Sequence, residues 1–452
     1  MSRHHLLFFL FCLCLTLFAL FSSQIGFHDE PEYYALARAF AGYQNQAVFT
    51  SHSLLYPYLS SFFLSFFPSL VVLKLFSLLW IALTALVLMF SDQRAFLLFL
   101  FSPLVWMTSI AFSPILPAMF FMAALHVAFL YWQKTRQFRY FVLSGLSFGF
   151  AFAFYTAAIV PLLFFVFAYL RQETLQQTLI YLCFTLPGLF LRSLLDAIYT
   201  GFPFYSYVRD FGANLKVILG QSTTDYGFFH GLFVSSNWFI FFVCAPLFFL
   251  IYRLRAKSHI SELWYLAPSF LFFFVRGGLL KYFLLIVPSL LLLLAPLFSR
   301  REMWINALFG VLLTIFFTWG YFGNTWEQQV TEDLSFIEEE YSFQRAVMSP
   351  AFSFLDFSGR TYIWPEEYVM AQQNITYFSG LSVASQSPRI AFYEELQLHA
   401  DLVRTNTDSF ADITYWIAPA TFDLADSFTT PYLQTRFVQD RCYPFLCVYR
   451  KI

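Results

Sequence analysis

An acidic cluster stands where the first apolar segment of the sequence ends. Residues 26–38 contain three carboxylates and a histidine, with Asp29 and Glu30 adjacent. A carboxylate can take a proton from a hydroxyl as a general base, and it can also bind a divalent cation. The alternative is structural, because Pro31 suits the first turn of a helix and acidic residues stabilise a helix N-terminus. A cluster of this kind favours a functional site, with Asp29 and Glu30 as candidates.

A second candidate is a pair of basic residues around two glycines. Arg276 and Lys281 flank Gly277-Gly278, and Tyr282 follows them. Positive side chains on a flexible backbone beside a membrane suit the phosphate of a lipid. The alternative is a pair that only extends its charged ends to the membrane interface.

Five further polar residues deserve weighing. His52 suits a phosphate or a metal ion, although a lone histidine is more often a plain loop residue. Arg209 and Lys216 are candidate contacts to a donor substrate. Arg192 and Asp196 lie four residues apart inside an apolar helix, where they can form an internal ion pair. Charges inside a membrane helix favour a functional role. The alternative is that the two charges only neutralise each other.

The composition requires a membrane to position these residues. Apolar residues make up 59% of the 452 positions and charged residues 12%, against about 25% charged in soluble proteins. From Phe322 onward the chain holds 17 of the 27 acidic and 8 of the 26 basic residues. We therefore predict a membrane domain at 1–321 and a soluble domain at 322–452. The net charge of −1 excludes nucleic acid as a partner.

The apolar segments predict an all-α polytopic membrane protein with about 11 spans. The spans are 6–25, 69–90, 96–112, 115–132, 140–154, 156–170, 179–199, 232–252, 263–275, 282–298 and 303–321. Lys and Arg are more frequent in the loops that face the cytoplasm if the N-terminus is cytoplasmic. An odd number of spans then places the C-terminal domain outside a cell membrane. The first segment is alternatively a cleaved signal peptide, because Phe21-Ser22-Ser23 offers small residues near its end.

Two long outer loops and the polar domain complete the organisation. The loops are 26–68 and 200–231, and loops of this length are usually functional. The C-terminal domain is predicted to be mixed α/β, with strands at 361–364, 413–417 and 445–449 and a helix at 390–402. Cys442 and Cys447 can form a disulfide if this domain is extracytoplasmic, and otherwise they are two thiols.

Several motifs follow one another in a fixed order over about residues 1–300. They are Asp29-Glu30 with the aromatic helix after it, His52-Ser53-Leu54-Leu55-Tyr56, Phe101-Ser102-Pro103, Leu143–Gly149, Tyr199-Thr200-Gly201-Phe202-Pro203 and Lys281–Pro288. This ordered set resembles the GT-C membrane glycosyltransferases. Within them it is most similar to the dolichyl-phosphate-mannose protein mannosyltransferases and their bacterial aminoarabinose-transferring relatives.

The resemblance implies transfer of a sugar from a dolichyl- or undecaprenyl-phosphate donor on the outer face of the membrane, in one step with inversion. The acceptor would be a protein, a lipid or a glycan. By position, Asp29 would be the base, and Glu30 would orient the acceptor or bind a divalent metal ion with His52. Arg276 and Lys281, with the adjacent Tyr282, would bind the donor phosphate.

Two readings from other classes stay open. A lipid or solute transporter or flippase places its polar sites near the bilayer midplane, often between repeated halves, and the sequence shows no such repeat. A catalytically inactive scaffold of the same fold is favoured by the absence of an acidic residue beside Ser113-Pro114, where the family often has one. The sequence contains no convincing P-loop, dinucleotide fingerprint, zinc-ligand spacing or nucleophile elbow, which disfavours ATP-driven and hydrolase functions.

Overall fold

The structure, a computed structural model, describes most of the chain. The described residues are 3–22, 30–42, 52–170, 173–208, 210, 265–266, 268–269, 280–322, 326–349, 352, 360–363, 365, 368, 413–420 and 429–452. In these ranges the chain is mainly helical, with a small sheet near the C-terminus.

Apolar helices dominate the described residues as far as residue 318. They are α1 (Arg3–Phe21), α2 (Glu30–Phe40), α3 (Leu55–Phe66), α4 (Leu70–Ser91), α5 (Gln93–Leu100), α6 (Pro103–Thr108), α7 (Ile115–Thr135), α8 (Phe138–Phe154), α9 (Ile159–Tyr169), α10 (Leu175–Thr200), α11 (Leu280–Phe283), α12 (Val287–Leu294) and α13 (Arg300–Thr318). Among the described residues, α1, α4, α7 and α10 are long and apolar enough to cross a membrane. The protein is therefore a helical membrane protein, as its composition predicts.

The predicted spans agree with these helices in part. Spans 6–25, 69–90, 115–132 and 179–199 match the four long helices. Span 232–252 and most of 263–275 lie outside the described residues, so the total of eleven stays a prediction, as does the domain boundary after residue 321.

One predicted segment is interrupted at a proline, and the predicted boundary between spans 140–154 and 156–170 has an extended residue. Span 96–112 consists of α5 and α6 instead of one helix. Pro103 begins α6, and the residue before a proline avoids the helical region, so Ser102 is extended with φ −79° and ψ 116°. Between α8 and α9, Tyr155 is also extended, with φ −145° and ψ 111°. A short 3₁₀ turn, Thr156–Ala158, follows it and leads into α9.

Helices α8 and α10 contact each other backbone to backbone at two glycines. A Cβ atom added to Gly149 would lie 2.0 Å from the carbonyl oxygen of Thr185, and one added to Gly188 would lie 2.5 Å from the carbonyl carbon of Gly149. Small residues at such positions let membrane helices approach closely. This approach brings Arg192, one turn beyond Gly188, beside the end of α8.

A buried lysine from α4 fixes the end of α1. The Nζ of Lys74 donates hydrogen bonds to the carbonyl oxygens of Ala19 at 3.0 Å and Ser22 at 2.9 Å. The last carbonyls of a helix have no partner within it, and its dipole favours a cation there. The start of α4 therefore lies at the end of α1, where the chain continues towards the acidic cluster.

The first outer loop contains two helices that pack on each other. Phe40 of α2 lies 5.7 Å from the ring of Tyr58 on α3, and 4.7 Å from the ring of Tyr199 at the end of α10. One and two turns beyond Tyr58, α3 exposes Phe62 and Phe66. A helix with exposed aromatic rings suits the interface of a membrane.

After α13 the polar part of the chain forms a five-stranded sheet beside two further helices. The elements are α14 (Trp326–Glu340), β1 (Arg345–Met348), β2 (Thr361–Ile363), β3 (Tyr415–Pro419), α15 (Thr429–Gln434), β4 (Phe437–Cys442) and β5 (Leu446–Lys451). The strand order is β2-β1-β3-β5-β4. Strand β1 is parallel to β2 and β3, whereas β5 is antiparallel to β3 and β4.

Side chains of these strands alternate between two buried clusters. On β3, Trp416 and Ala418 belong to one cluster and Ile417 to the other. The strands predicted at 361–364, 413–417 and 445–449 are confirmed within two residues, and the predicted helix 390–402 lies outside the described residues. Strands β1 and β4 were not predicted. Strand β4 has only its first residue buried and shows no apolar alternation.

A disulfide closes the β4–β5 hairpin. It joins Cys442 at the end of β4 to Cys447 on β5, and these two residues are paired across the strands. Of the two sequence-based alternatives, the structure has the disulfide.

Candidate active site

The buried centre of the candidate site is Arg192 on α10, whose side chain is 0% exposed. Its Nε donates to the hydroxyl of Ser206 at 2.7 Å, and its Nη1 donates to the hydroxyl of Thr156 at 2.7 Å. A buried guanidinium requires such partners because removing its charge from water is costly. Thr156 is available because the chain breaks at Tyr155 and turns the 3₁₀ segment towards α10.

Asp196 lies one turn beyond Arg192 and is joined to it through Ser206. The Oδ2 of Asp196 accepts hydrogen bonds from the Ser206 amide at 2.9 Å and from the Ser206 hydroxyl at 2.8 Å. The sequence predicts a direct internal pair at this spacing. The structure instead places Ser206, from the second outer loop, between the two charged groups.

A second carboxylate connects Arg192 to His52. The Oδ2 of Asp210 lies 3.8 Å from Nη2 of Arg192, and its Oδ1 lies 4.0 Å from Nδ1 of His52. The His52 ring is 5.3 Å from the ring of Tyr33, on the second turn of α2. We call the set Arg192, Asp196, Thr156, Ser206, Asp210 and His52 the Arg192 network.

Exposure increases along the Arg192 network towards its outer end. The side chain of Asp210 is 13% exposed and that of His52 is 23% exposed, whereas Arg192 is fully covered. A molecule approaching from this end therefore meets His52 before the other members. An imidazole there can donate a hydrogen bond to a phosphate or bind a metal ion.

The ring of Tyr207 covers Arg192 from the second outer loop. The guanidinium carbon lies 4.0 Å from the ring centroid. Burial raises the pKa of Tyr207 to about 12, and the positive charge of Arg192 offsets part of that rise. The phenol is therefore protonated and neutral near pH 7.

The segment that contains Lys281 and Tyr282 contacts the turn after α8, which also contains Thr156. Tyr282 on α11 is buried, and its ring lies 6.1 Å from the ring of Tyr155. Thr156, the next residue, accepts the hydrogen bond from Arg192. Helix α2, which begins at Glu30, contacts His52 through Tyr33. His52 and Tyr282 in turn are connected, through Asp210 and Tyr155, to the same end of α8 and α10.

The structure describes some of the predicted site residues with their side chains, others by their backbone alone, and others not at all. His52 and Tyr282 are described with their surroundings, as above. Glu30 begins α2 and Lys281 lies in α11, but only their backbone is described. Asp29, Arg209 and Arg276 lie outside the described residues, as does Lys216.

A metal site is not assembled within the described part of the chain. No group of three His, Cys, Asp or Glu side chains there is arranged to hold a metal ion. The one candidate ligand pair described above is His52 with Asp210, at 4.0 Å. Metal binding by Glu30 and His52 therefore stays a prediction.

Sequence reasoning missed Asp210, Ser206 and Thr156. A signal for Asp210 was present, since it follows the candidate Arg209 directly in the second outer loop. A buried arginine on an apolar helix also implies a nearby carboxylate. Ser206 and Thr156 carried no signal, because single hydroxyl residues are common in loops and turns.

Comparison with known proteins gives a likeness in structure alone. No protein-family model matches the chain, and no curated protein matches it significantly. The crystal structure of ArnT from Cupriavidus metallidurans bound to undecaprenyl phosphate has a TM-score of 0.61 and 12% sequence identity, covering 99% of this chain and 98% of ArnT. The same protein in its apo state has a TM-score of 0.50 and 13% identity, covering 99% and 97%.

The likeness includes both the helical part and the C-terminal sheet, since almost all of both chains is covered. At this level of identity it shows the fold and not the reaction. The chain therefore has the fold of ArnT over nearly its whole length, and its place among the GT-C membrane glycosyltransferases stays the prediction that its ordered motifs make.

Proposed function

We propose that the protein is an inverting glycosyltransferase that takes a sugar from a polyprenyl-phosphate donor at the outer face of the membrane. The observation that carries this proposal is the ArnT fold over 99% of the chain, in a form of ArnT bound to undecaprenyl phosphate. The Arg192 network supports it, because it joins His52 to the second outer loop and includes Thr156, whose neighbour Tyr155 contacts Tyr282.

In the proposed reaction, Asp29 accepts the proton of an acceptor hydroxyl. The acceptor oxygen then forms a bond to the anomeric carbon of the sugar, while the bond from that carbon to the phosphate oxygen breaks. The polyprenyl phosphate leaves with the electron pair, so no covalent enzyme intermediate is needed. Attack on the face opposite the leaving phosphate inverts the anomeric centre.

The departing phosphate needs positive charge and hydrogen-bond donors. We assign these roles to Arg276 and Lys281, with Arg209 and Tyr282 as further contacts. The packing of Tyr282 against Tyr155 supports this assignment, since it holds α11 near the Arg192 network. Arg192 itself is engaged by its protein partners, so it acts as a positioning residue.

His52 is the member of the Arg192 network assigned to contact the donor. Asp210 stands behind it and orients the imidazole, as carboxylates commonly do for functional histidines. A divalent cation held by Glu30 and His52 would polarise the phosphate, and an imidazole with carboxylates suits such an ion. No step of the proposal passes through it.

The orientation of the chain is part of the proposal. The predicted excess of Lys and Arg in cytoplasmic loops supports a cytoplasmic N-terminus. The Cys442–Cys447 disulfide supports an extracytoplasmic position for the domain at 322–452, because disulfides persist in oxidising compartments. In that position the domain would bind the acceptor, whether protein, lipid or glycan.

The test is sugar transfer in membranes from radiolabelled undecaprenyl- and dolichyl-phosphate donors. We expect Asp29→Asn to lower transfer by at least about a hundredfold at unchanged protein level, because it removes the base. Glu332→Gln is the matched control, since it makes the same chemical change at an exposed position on α14 and should leave transfer unchanged.

Two outcomes would overturn the proposal. Lipid movement across vesicles without transfer would identify a flippase. No transfer by the wild-type protein from any of the donors, at normal protein level, would identify an inactive scaffold.

A further inference from the structure

A cavity of about 290 Å³ lies between the first turns of α1, α5 and α13. Its wall is apolar and includes Leu7, Leu97 and Phe101. Its polar and positive groups are His4, Gln93, Arg94, Arg300 and Asn306, and no acidic residue lines it. The cavity thus combines an apolar interior with a basic rim.

This cavity lies at the end of the bundle opposite the candidate active site. Helix α1 starts at the cavity and ends beside Lys74, where α4 begins. Phe8 contacts Phe96, and Phe11 contacts Phe99, so α5 runs alongside α1 in the same direction. A helix of 19 residues is about 28 Å long, so the two places are separated by the thickness of the bundle.

The acidic side chains near the cavity are engaged in capping helices. Asp92 accepts hydrogen bonds from the amides of Arg94 and Ala95 at the start of α5. Glu302 accepts one from the Ser299 amide in a capping box at the start of α13. Arg94 makes one long hydrogen bond, of 3.4 Å, to the carbonyl oxygen of Phe298, and its side chain is otherwise exposed at the rim.

Two observations indicate a ligand with both a polar head and an apolar body. The Nδ1 atom of His4 is buried and has no hydrogen-bond partner within the described residues. Beside the rim, Trp304 is 57% and Leu308 is 64% exposed, as expected for side chains that face lipid at an interface. Basic pockets between membrane helices on the cytoplasmic side are suited to anionic lipid head groups.

We propose that this cavity binds an anionic phospholipid from the leaflet opposite the candidate active site. Arg94 and Arg300 bind the phosphate, His4 donates or accepts a hydrogen bond at the head group, and the apolar wall covers the start of an acyl chain. The site is separate from the donor site, so it stands whether or not the protein transfers sugar.

The test is native mass spectrometry of the full chain in neutral detergent, titrated with phosphatidylglycerol or with phosphatidylcholine of the same acyl chains. We expect phosphatidylglycerol to be retained preferentially. The double variant Arg94→Gln/Arg300→Gln should weaken its binding about 30-fold, since each basic residue near a lipid surface contributes about fivefold. The variant Ala307→Phe fills the cavity, keeps both charges and should abolish the retention.

A matched control removes two positive charges elsewhere at the same end of the bundle. Lys134, in the last turn of α7, and Arg139, in the first turn of α8, are exposed, and Lys134→Gln/Arg139→Gln should leave retention unchanged. An equal loss in this control would show attraction by diffuse charge and overturn the site. Equal retention of both lipids would overturn it as well, and displacement by soluble glycerol phosphate would identify a site for phosphate esters rather than lipid.

Discussion

Arg192 is a buried cation whose partners come from two other parts of the chain. Thr156 lies in the 3₁₀ turn after α8, Ser206 and Asp210 lie in the second outer loop, and Asp210 in turn faces His52. A buried charge must be neutralised and hydrogen-bonded where it stands. The same contacts that stabilise Arg192 therefore fix the position of His52, which is the more exposed end of the network.

We expect Asp210 and His52 to act as one unit in transfer. Asp210→Asn should lower activity because the imidazole loses its orienting carboxylate, while Ser206 and Thr156 still hold Arg192. The measurement is a double-mutant cycle of transfer rates with Asp210→Asn and His52→Ala. Adding His52→Ala to Asp210→Asn should lower the transfer rate little further. The coupling energy between the two substitutions should then be about 1 kcal/mol or more. Additive losses would contradict the proposed pairing.

At the residue scale, a carboxylate in the C-terminal domain should make the stability of the sheet depend on pH. Glu340 accepts hydrogen bonds from Tyr443 and Arg441, and these hold the pKa of its carboxyl below the ordinary value. A carboxyl whose pKa is lower in the folded than in the unfolded state stabilises the fold at pH values above its unfolded-state pKa. This contribution to stability is lost as the pH falls through the folded-state pKa. Glu340→Gln should therefore accelerate amide exchange in β4 and β5 at pH 7.

The difference from the wild type should shrink at about pH 3, because lowering the pH below the ordinary carboxyl pKa and towards the lowered folded-state pKa of Glu340 progressively removes the contribution of its charge. Hydrogen–deuterium exchange of the full chain at both values checks this, with each variant compared at the same pH. The exposed Glu332→Gln is the control. A difference that persists undiminished at pH 3 would show that the charge of Glu340 is not its cause.

At the scale of elements, the glycine contact between α8 and α10 decides where Arg192 lies. Gly149 and Gly188 let the backbones touch, and Arg192 follows Gly188 by four residues, so both face α8. A larger residue at the crossing would separate Arg192 from Thr156. The sequence motif Leu143–Gly149 thus has a packing role that ends at the candidate site.

We expect Gly149→Ala to destabilise the bundle by about 1–3 kcal/mol, because the added Cβ would overlap the Thr185 carbonyl oxygen. The midpoint of thermal unfolding in detergent should fall, and transfer should fall with it. Leu186→Ala is the control on the same pair of helices, since Leu186 is 56% exposed. An unchanged midpoint in Gly149→Ala would contradict the close contact.

Elements could be predicted from the sequence where a single physical rule decides them. Long apolar runs predict α1, α4, α7 and α10, since no other structure buries 20 apolar residues in lipid. The break before Pro103 was not predicted, although proline disfavours a helical residue before it and so carried a signal. The unpredicted strand β4 lies at the sheet edge with five exposed residues, so its position depends on pairing with β5 and not on its own pattern.

On the scale of the whole molecule, the candidate site depends on contacts that no local pattern encodes. His52 and Asp210 are more than 150 residues apart, and their meeting follows from how α2, α3 and the second outer loop pack. The resemblance identified the segments that take part because their order is kept. It did not identify Asp210, since a carboxylate that supports another side chain belongs to no motif.

The proposed orientation of the chain in the membrane predicts from which side its C-terminal cysteines can be labelled. In the proposed orientation, a membrane-impermeant maleimide added to intact cells should label Cys442 and Cys447 only after reduction, because the proposal places their disulfide outside. The four remaining cysteines are replaced by serine so that labelling reports this pair alone. Labelling only after the cells are opened would place the C-terminal domain in the cytoplasm and reverse the proposed orientation.

The hydrogen bonds from Lys74 to the end of α1 have a consequence for the first helix. If a peptidase removed the chain up to Ser23, the ammonium group of Lys74 would lose two carbonyl acceptors in a place that water does not reach. Trp106 would also lose the rings of Phe11 and Phe18 that contact its edge or face. The shortened protein would therefore hold the charge of Lys74 with two acceptors fewer and Trp106 with two ring contacts fewer, and we expect the remaining helices to be less stable.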